Sequence, residues 1–201
     1  QVAVVHNGII ENYQQLKDEL ANNGVAMQTE TDTEVVAHLA NGYLETGMQP
    51  KDMMRALLSK IQGAFALLIM MAQHPDQLLA ARKYSPLAIA HGDGEMFLGS
   101  DALALAHLSR KISYLEDGDW AIITKDEAEI FNFKNEIVER PTIISDASNK
   151  TPNKGKYSHY MEKEIHEQPE AIGYTFASYC SPTTGKITLP KFKFCPLELP
   201  K

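Results

Sequence analysis

The sequence predicts an α+β fold in which antiparallel strands form sheets and helices cover them. Short apolar runs, at residues 2–5 and 64–71, are typical of buried strands. Other segments repeat apolar residues at spacings of three and four, which is the pattern of a helix with one buried face. The turn at residues 91–94 contains two glycines between apolar runs and indicates a hairpin. Periodicity alone supports this class and nothing finer.

The composition limits the classes of protein to consider. The chain has 201 residues, enough for one domain with a sizeable core and an appendage. Hydrophobic residues make up 44% and charged residues 22%, which is ordinary for a globular protein. The net charge of −7 argues against nucleic-acid binding, which requires a basic face. The longest apolar run, residues 64–72, is too short to span a bilayer, so no membrane partner is expected.

Two cysteines, Cys180 and Cys195, lie near the end of the chain. They fit no metal-ligand spacing and form no disulfide framework. A reducing cytoplasm is therefore the simpler prediction for the location of the protein.

The opening segment combines a strand with a helical pattern. Residues 2–5 predict a buried strand, and the chain is expected to turn at Asn7-Gly8 into a helix that begins at residue 9 and closes before Gly24. Gly8 lacks a Cβ, so its N–H can approach a ligand closely, and Asn7 adds an amide with two donors. Such a pair can stabilise an oxyanion during acyl transfer, although Asn-Gly taken alone favours a plain tight turn.

A second helix follows residues 30–34. Apolar residues from Val35 to Leu44 form a helical stripe, and Thr31 and Glu34 have the spacing of a capping box. Asp32 then lies in the first helical turn. Its carboxylate either complements the helix dipole or binds an ammonium group, and the position alone favours the dipole role.

The middle of the chain alternates helices and strands. Pro50 opens a predicted helix that Gly63 stops, and Ser100 or Asp101 can cap a short helix over residues 102–108. The predicted strands cover residues 64–71, 77–82, 87–90, 95–99, 112–115, 120–124 and 129–133.

The last part of the chain changes character. Residues 145–156 are rich in Asn, Lys, Pro and Gly, which is typical of a linker. Residues 159–172 predict a helix with Pro169 as a candidate break. His159, Glu162 and His166 share one helical face and could in principle bind a metal. The resemblance of this segment to a known family explains it better than a metal site does. Residues 181–201 carry four prolines and are expected to be poorly ordered.

Several motifs in order resemble one enzyme family. They are Val4-Val5-His6-Asn7-Gly8-Ile9-Ile10-Glu11-Asn12, Glu30-Thr31-Asp32-Thr33-Glu34-Val35, Ala80-Ala81-Arg82, Ser85-Pro86-Leu87, Gly99-Ser100-Asp101, Leu115-Glu116-Asp117-Gly118-Asp119, His159-Tyr160-Met161-Glu162-Lys163-Glu164-Ile165 and Glu167-Gln168-Pro169. Over about residues 1 to 172 the chain resembles the glutaminase domain of the glutamine–fructose-6-phosphate aminotransferase (isomerising) family, whose members are also called glucosamine-6-phosphate synthases. These enzymes are class II glutamine amidotransferases.

The resemblance implies an architecture. It predicts an N-terminal-nucleophile hydrolase-like αββα sandwich, incomplete here, for residues 1–144. Residues 145–157 would be a linker, and residues 158–201 the incomplete, helical start of a sugar-isomerase region. The chain would then be an internal piece of a longer protein.

The resemblance also implies roles for individual residues. Asn7 and Gly8 correspond to the oxyanion hole, and Asp32 to the residue that holds the α-amino group of glutamine. His6 is assigned no chemical role, and no metal or organic cofactor is implied. The family's nucleophile is an N-terminal cysteine whose own α-amine acts as the base. No counterpart occurs here, so the chain alone is predicted to be inactive.

The intact enzyme would use glutamine and fructose 6-phosphate, act as a homodimer, and make glucosamine 6-phosphate and glutamate for amino-sugar nucleotide synthesis. Two alternatives stay open. One is another class II amidotransferase, such as the purine-pathway phosphoribosyl transferase, although the motif at residues 159–165 argues against it. The other is a catalytically dead glutamine-binding module.

Overall fold

The computed structural model describes residues 1–145, 153–181 and 184–187. The chain divides into two compact units, Gln1–Thr151 and Pro152–Lys201. Each unit is described by itself.

The first unit contains nine strands and four helices among its described residues. The strands are β1 Val2–Ile10, β2 Gly63–Met71, β3 His74–Lys83, β4 Ala88–His91, β5 Met96–Gly99, β6 Lys111–Tyr114, β7 Trp120–Ile123, β8 Ala128–Phe131 and β9 Thr142–Ile144. The helices are α1 Tyr13–Asn22, α2 Asp32–Glu45, α3 Pro50–Lys60 and α4 Ala102–Leu105. Among its described residues, the second unit contains one helix, α5 Tyr160–Tyr179.

The strands form two antiparallel sheets. One sheet has the order β1-β2-β3-β7-β8, and the other has the order β5-β4-β6-β9. Because β1 stands at the end of the first order, one of its edges is unpaired within the described part of the chain. The predicted α+β class is confirmed.

Side chains alternate between the two faces of the first sheet and build separate cores. In β2, Phe65, Leu67 and Ile69 pack with buried residues of α1, α2 and α3, whereas Ala66 faces the second sheet. On the outer face of the second sheet, α4 packs Leu105 into a small third cluster. The order of layers is therefore helix, sheet, sheet, helix. Each fully buried large apolar side chain contributes about 1.5–3 kcal/mol to stability, so these cores dominate the folding energy.

The first strand differs from the prediction. The chain does not turn at Asn7-Gly8, because β1 continues to Ile10 and α1 begins only at Tyr13. Ile9 is 65% exposed and Ile10 is fully buried, which is the alternation of a strand. Pairing with β2, more than fifty residues away, holds these residues extended. The helical spacing of the isoleucines with Tyr13 could not reveal that partner.

The short helix α4, the helix α5 and the strand β9 test three further predictions. The short helix α4 is capped as expected, since an Asp101 side-chain oxygen accepts hydrogen bonds from the N–H groups of Leu103 and Ala104 at 2.7 and 3.0 Å. Helix α5 continues through Pro169 to Tyr179, so Pro169 does not end it. Strand β9 was not predicted. Most of residues 181–201, including Cys195, lie outside the described residues, and so do residues 146–152 of the expected linker.

Candidate functional site

The unpaired edge of β1 carries free backbone donors. Glu11 N–H donates to the Gln62 carbonyl at 2.8 Å, and Ala72 N–H donates to the Gln1 carbonyl at 3.0 Å. Odd-numbered residues of β1 therefore form the hydrogen-bonded pairs with β2. The N–H groups of even-numbered residues point the other way. Gly8 and Ile10 accordingly present their N–H groups at the unpaired edge.

Gly8 occupies a position that only glycine can fill. Its φ is +143°, and a Cβ added there would lie 2.0 Å from the Ala64 carbonyl oxygen. No side chain can relieve that contact, since the obstructing atom belongs to the backbone of the neighbouring strand. The two backbones approach closely at this point, so the position requires glycine. Because glycine has no side chain, no atom of its own residue covers the Gly8 N–H.

Asp32 connects the start of α2 to this edge. It is the first residue of the helix, as predicted, and its Oδ2 accepts the Ile10 N–H at 2.7 Å. Its side chain is 23% exposed, so the carboxylate is reachable from solvent. The interaction places a negative charge beside the free donors of β1.

Spacing along the strand relates Gly8 to Asp32. Two residues of an extended strand span roughly 7 Å, which is the distance expected between the Gly8 and Ile10 nitrogens. An extended glutamine separates its α-amino nitrogen from its side-chain amide carbon by about 5 Å. With one hydrogen bond at each end, a molecule of that length matches the separation between the Asp32 carboxylate and the Gly8 N–H.

Asn7 lies on the opposite face of β1 from His6. It is exposed, and it shares that face with Val5 and Ile9. The structure therefore brings Gly8, Ile10 and Asp32 together and leaves the Asn7 amide on the solvent side of the same strand.

His6 contacts Asp32, which the sequence did not predict. Its side chain is only 2% exposed, and its Nδ1 lies 3.0 Å from Thr33 Oγ1 and 3.6 Å from Asp32 Oδ1. Its Nε2 is buried and has no hydrogen-bond partner among the described residues. Burial lowers the pKa of His6, and the Asp32 carboxylate opposes that effect. The imidazole is therefore neutral at pH 7.

The expected capping box does not form. Thr31 is the residue before α2, but its side chain makes no capping hydrogen bond. Glu34 instead accepts hydrogen bonds from the N–H groups of Gln28 and Thr29, each at 2.6 Å, and from the Thr29 hydroxyl. These donors, the Thr29 hydroxyl first, lower the pKa of Glu34 to about 2. Glu34 thus fixes the loop that leads to Asp32 rather than the helix terminus itself.

The described residues contain neither a metal-ligand cluster nor a membrane-spanning helix. Within residues 1–145, 153–181 and 184–187, no three His, Cys, Asp or Glu side chains are grouped as ligands for a metal ion. His166, one of the three residues weighed as ligands, stacks on Tyr157 with ring centroids 5.2 Å apart. No helix in the described part of the chain has the length and apolarity needed to cross a membrane.

The structure is thus a two-sheet sandwich in which a glycine N–H and an anchored carboxylate lie at one strand edge. A sequence model described as a glutamine amidotransferase domain matches residues 1–107. The chain therefore belongs to the glutamine amidotransferase family.

Three similar proteins from different bacteria carry the same name. The chain is 50% identical over 189 residues to the glutamine–fructose-6-phosphate aminotransferase (isomerizing) of Zymomonas mobilis. This alignment covers 94% of the chain and 31% of that protein. It is 53% identical over 178 residues to a protein of the same name from Rhizobium meliloti, covering 89% of the chain and 29% of the relative. A Gluconobacter oxydans protein of that name is 45% identical over the whole chain. The chain thus spans about a third of the length of these relatives.

Solved structures give a second comparison. The glutamine phosphoribosylpyrophosphate amidotransferase of B. subtilis, complexed with ADP and GMP, matches with a TM-score of 0.54 and 31% identity, over 68% of the chain and 30% of that protein. A structure described as the allosteric regulatory enzyme of purine biosynthesis matches with a TM-score of 0.54 and 33% identity, over 66% of the chain and 28% of that protein. Both comparisons agree with the α+β amidotransferase fold.

Proposed function

We propose that this chain supplies the glutamine-binding part of a glutamine–fructose-6-phosphate aminotransferase. The observation that carries the proposal is the Asp32 carboxylate, which is anchored at the unpaired edge of β1 at about one glutamine length from the Gly8 N–H. The named relatives support the choice of enzyme, because their alignments extend over most or all of the chain.

Each site residue has a role in this proposal. Asp32 binds the α-ammonium group of glutamine, so that attack on the side-chain amide becomes a positioned, effectively unimolecular step. The Gly8 N–H and the Asn7 amide donate to the oxygen that becomes negative when a cysteine thiolate adds to the amide carbon. Protonation of the amide nitrogen then releases ammonia and leaves a thioester, which water hydrolyses to glutamate. The cysteine would belong to a part of the enzyme outside these 201 residues.

The ammonia would be used by a sugar-isomerase part. Fructose 6-phosphate would receive the nitrogen and give glucosamine 6-phosphate, the entry to amino-sugar nucleotides. We assign residues 1–144 to the amidotransferase part, residues 145–157 to a linker and residues 158–201 to the start of the isomerase part. Exposed apolar side chains of α5, such as Met161, Ile165 and Ile172, suit packing against that part. The enzyme would be a cytoplasmic homodimer without a metal or organic cofactor.

A second candidate is a purine-pathway phosphoribosyl transferase, which the solved structures favour. Their matches cover about two thirds of the chain, whereas the Gluconobacter oxydans relative matches all of it, α5 included. The aminotransferase therefore accounts for more of the sequence. A glutamine-binding module without a nucleophile is the remaining possibility.

The first experiment is the intact mass and N-terminal sequence of the native protein, followed by assays of the same material. A longer chain that begins with cysteine and converts glutamine and fructose 6-phosphate to glutamate and glucosamine 6-phosphate would support the proposal. Glutamate release that depends on phosphoribosyl pyrophosphate would favour the second candidate. A native chain that begins at Gln1 and binds glutamine without releasing glutamate would favour the binding module.

A further inference from the structure

We propose that His6 is a positioning residue that holds the Asp32 carboxylate so that Oδ1 stays open to the α-ammonium group of glutamine. The proposal rests on the function proposed above and adds a residue to its substrate site. It starts from a contact between two neighbouring side chains, one from β1 and one from the first turn of α2.

The two oxygens of Asp32 have different surroundings. Oδ2 accepts the Ile10 N–H at 2.7 Å and is therefore committed to the protein backbone. Oδ1 lies 3.6 Å from His6 Nδ1, which is too far for a hydrogen bond. Oδ1 thus keeps its lone pairs for a ligand, while the imidazole limits rotation of the carboxylate about the bond to Cβ.

The unpaired Nε2 defines the tautomer of His6. An N–H group buried without an acceptor is costly, whereas an unpaired acceptor nitrogen costs less. The proton therefore belongs on Nδ1, where it faces the Thr33 hydroxyl at 3.0 Å and the Asp32 carboxylate just beyond it. The Thr33 hydroxyl accepts that proton and fixes the ring, and the neutral ring lies beside Asp32 Oδ1 without a hydrogen bond to it.

Neutrality matters for the substrate. A histidine cation beside Asp32 would form an ion pair with Oδ1 and compete with the ammonium group of glutamine. Burial of the His6 side chain disfavours that cation, so no histidine charge competes with the ammonium group at Oδ1. A neutral ring beside Oδ1 and a backbone N–H on Oδ2 therefore leave Oδ1 to receive one cation from solvent.

Two substitutions separate positioning from packing. The amide nitrogen of Asn can take the place of His Nδ1, whereas the amide nitrogen of Gln reaches toward the place of Nε2. In the complete enzyme we would compare wild type, His6→Asn, His6→Gln and Asp32→Ala, after checking by thermal unfolding that each is folded. The ligands are glutamine, measured by KM and kcat for glutamate release, and glutaramate, which is glutamine without its α-amino group, measured as a competitive inhibitor by its Ki.

We expect His6→Gln to raise the KM for glutamine about tenfold with little change in kcat, and to leave the Ki of glutaramate unchanged. His6→Asn should restore a KM within about threefold of wild type, because it replaces the Nδ1 donor. Equal fold-changes for glutamine and glutaramate, or equal losses in the Asn and Gln variants, would show that His6 only packs and would overturn the inference. A wild-type enzyme that releases no glutamate would overturn the proposed function, and this inference with it.

Discussion

Asp119 and Arg140 form a two-point ion pair, in which Nε donates to Oδ2 at 2.7 Å and Nη2 donates to Oδ1 at 2.9 Å. The Asp119 side chain is almost fully buried, and its Oδ2 also accepts the Glu116 N–H at 2.7 Å. The pair therefore ties the turn before β7 to the segment before β9. Charges held in this way are costly to separate, because the half-buried Arg140 would keep only the exposed Glu116 carboxylate, 3.1 Å from its Nη2, as a counter-ion.

Asp119→Asn should lower the free energy of unfolding by about 3 kcal/mol, because it leaves Arg140 without its buried partner. Urea denaturation measures the change. Asp126→Asn is the matched control, since the pair of Asp126 with Lys125 is exposed and 4.0 Å long. The control should change stability by less than about 0.5 kcal/mol. Similar losses in both variants would contradict the importance given to burial.

Gly8→Ala should destabilise the protein by more than about 2 kcal/mol and abolish glutamate release by the complete enzyme, because the new Cβ collides with the Ala64 carbonyl. The matched control is Gly42→Ala in the interior of α2, where an added Cβ meets no atom within 4 Å. That change should stabilise the protein by about 0.5–1 kcal/mol. Thermal unfolding and a glutaminase assay give both results. An active Gly8→Ala variant would remove the argument for a backbone oxyanion donor.

Asp32→Ala in the complete enzyme should raise the KM for glutamine by about a hundredfold, because the ammonium group loses its carboxylate. The KM for fructose 6-phosphate should change little, since the sugar would bind in the isomerase part. Steady-state kinetics with each substrate varied in turn provides the comparison. An unaltered KM for glutamine would contradict the role proposed for Asp32.

The loop before α2 should lose its anchor in acid. The pKa of Glu34 is about 2 in the folded protein against 4.5 unperturbed. Since the folded-state pKa is the lower one, the contribution of Glu34 to stability is complete above about pH 4.5 and disappears as the pH falls toward 2. Glu34→Gln should therefore be less stable than wild type at pH 6, and the difference should shrink progressively below pH 4.5. Denaturation at several pH values tests this, with Glu30→Gln on the exposed neighbour as control.

Two residues that share a positive φ should change the stability of the protein in opposite directions when each is replaced by glycine. Tyr84 has φ of +62° and an exposed side chain, so Tyr84→Gly relieves strain and should stabilise the protein by up to about 1 kcal/mol. Asn135 has φ of +64°, but its Oδ1 accepts the Trp120 indole N–H at 3.1 Å. Asn135→Gly should therefore destabilise the protein. The same direction in both variants would contradict this account, and thermal unfolding decides it.

Sequence patterns correctly predict the helices and turns that depend on neighbouring residues. Pro50 and the apolar stripe of α3, the Asp101 cap and the hairpin between β4 and β5 all came from residues within one or two turns of each other. Ile9 and Ile10 were assigned to a helix, because the pairing with β2 that makes them a strand involves residues far along the chain. Thr31 and Glu34 had capping-box spacing, yet tertiary geometry gave Glu34 to the preceding loop instead.

The candidate site also combines residues that local motifs indicate with contacts that only the folded structure shows. Asn7, Gly8 and Asp32 were selected from motifs, and the structure adds why Gly8 and Asp32 lie on one edge. The contact of His6 with Asp32 and Thr33 spans 26 and 27 residues, so no spacing in the sequence could indicate it. The direction of the Gly8 N–H depends on which residues of β1 pair with β2, and that register is a property of the folded sheet.

The unpaired edge of β1 has a consequence for handling the protein. Beside its free N–H and carbonyl groups lie the exposed apolar side chains of Val5, Ile9 and Met70. An open strand with a hydrophobic flank is a template for adding a strand from another molecule. Wherever this surface is left uncovered, concentrated protein will self-associate through intermolecular β-pairing, and the growing sheet will bury the edge donors. Under the proposed function, aggregation and glutamine binding would compete for the same backbone groups.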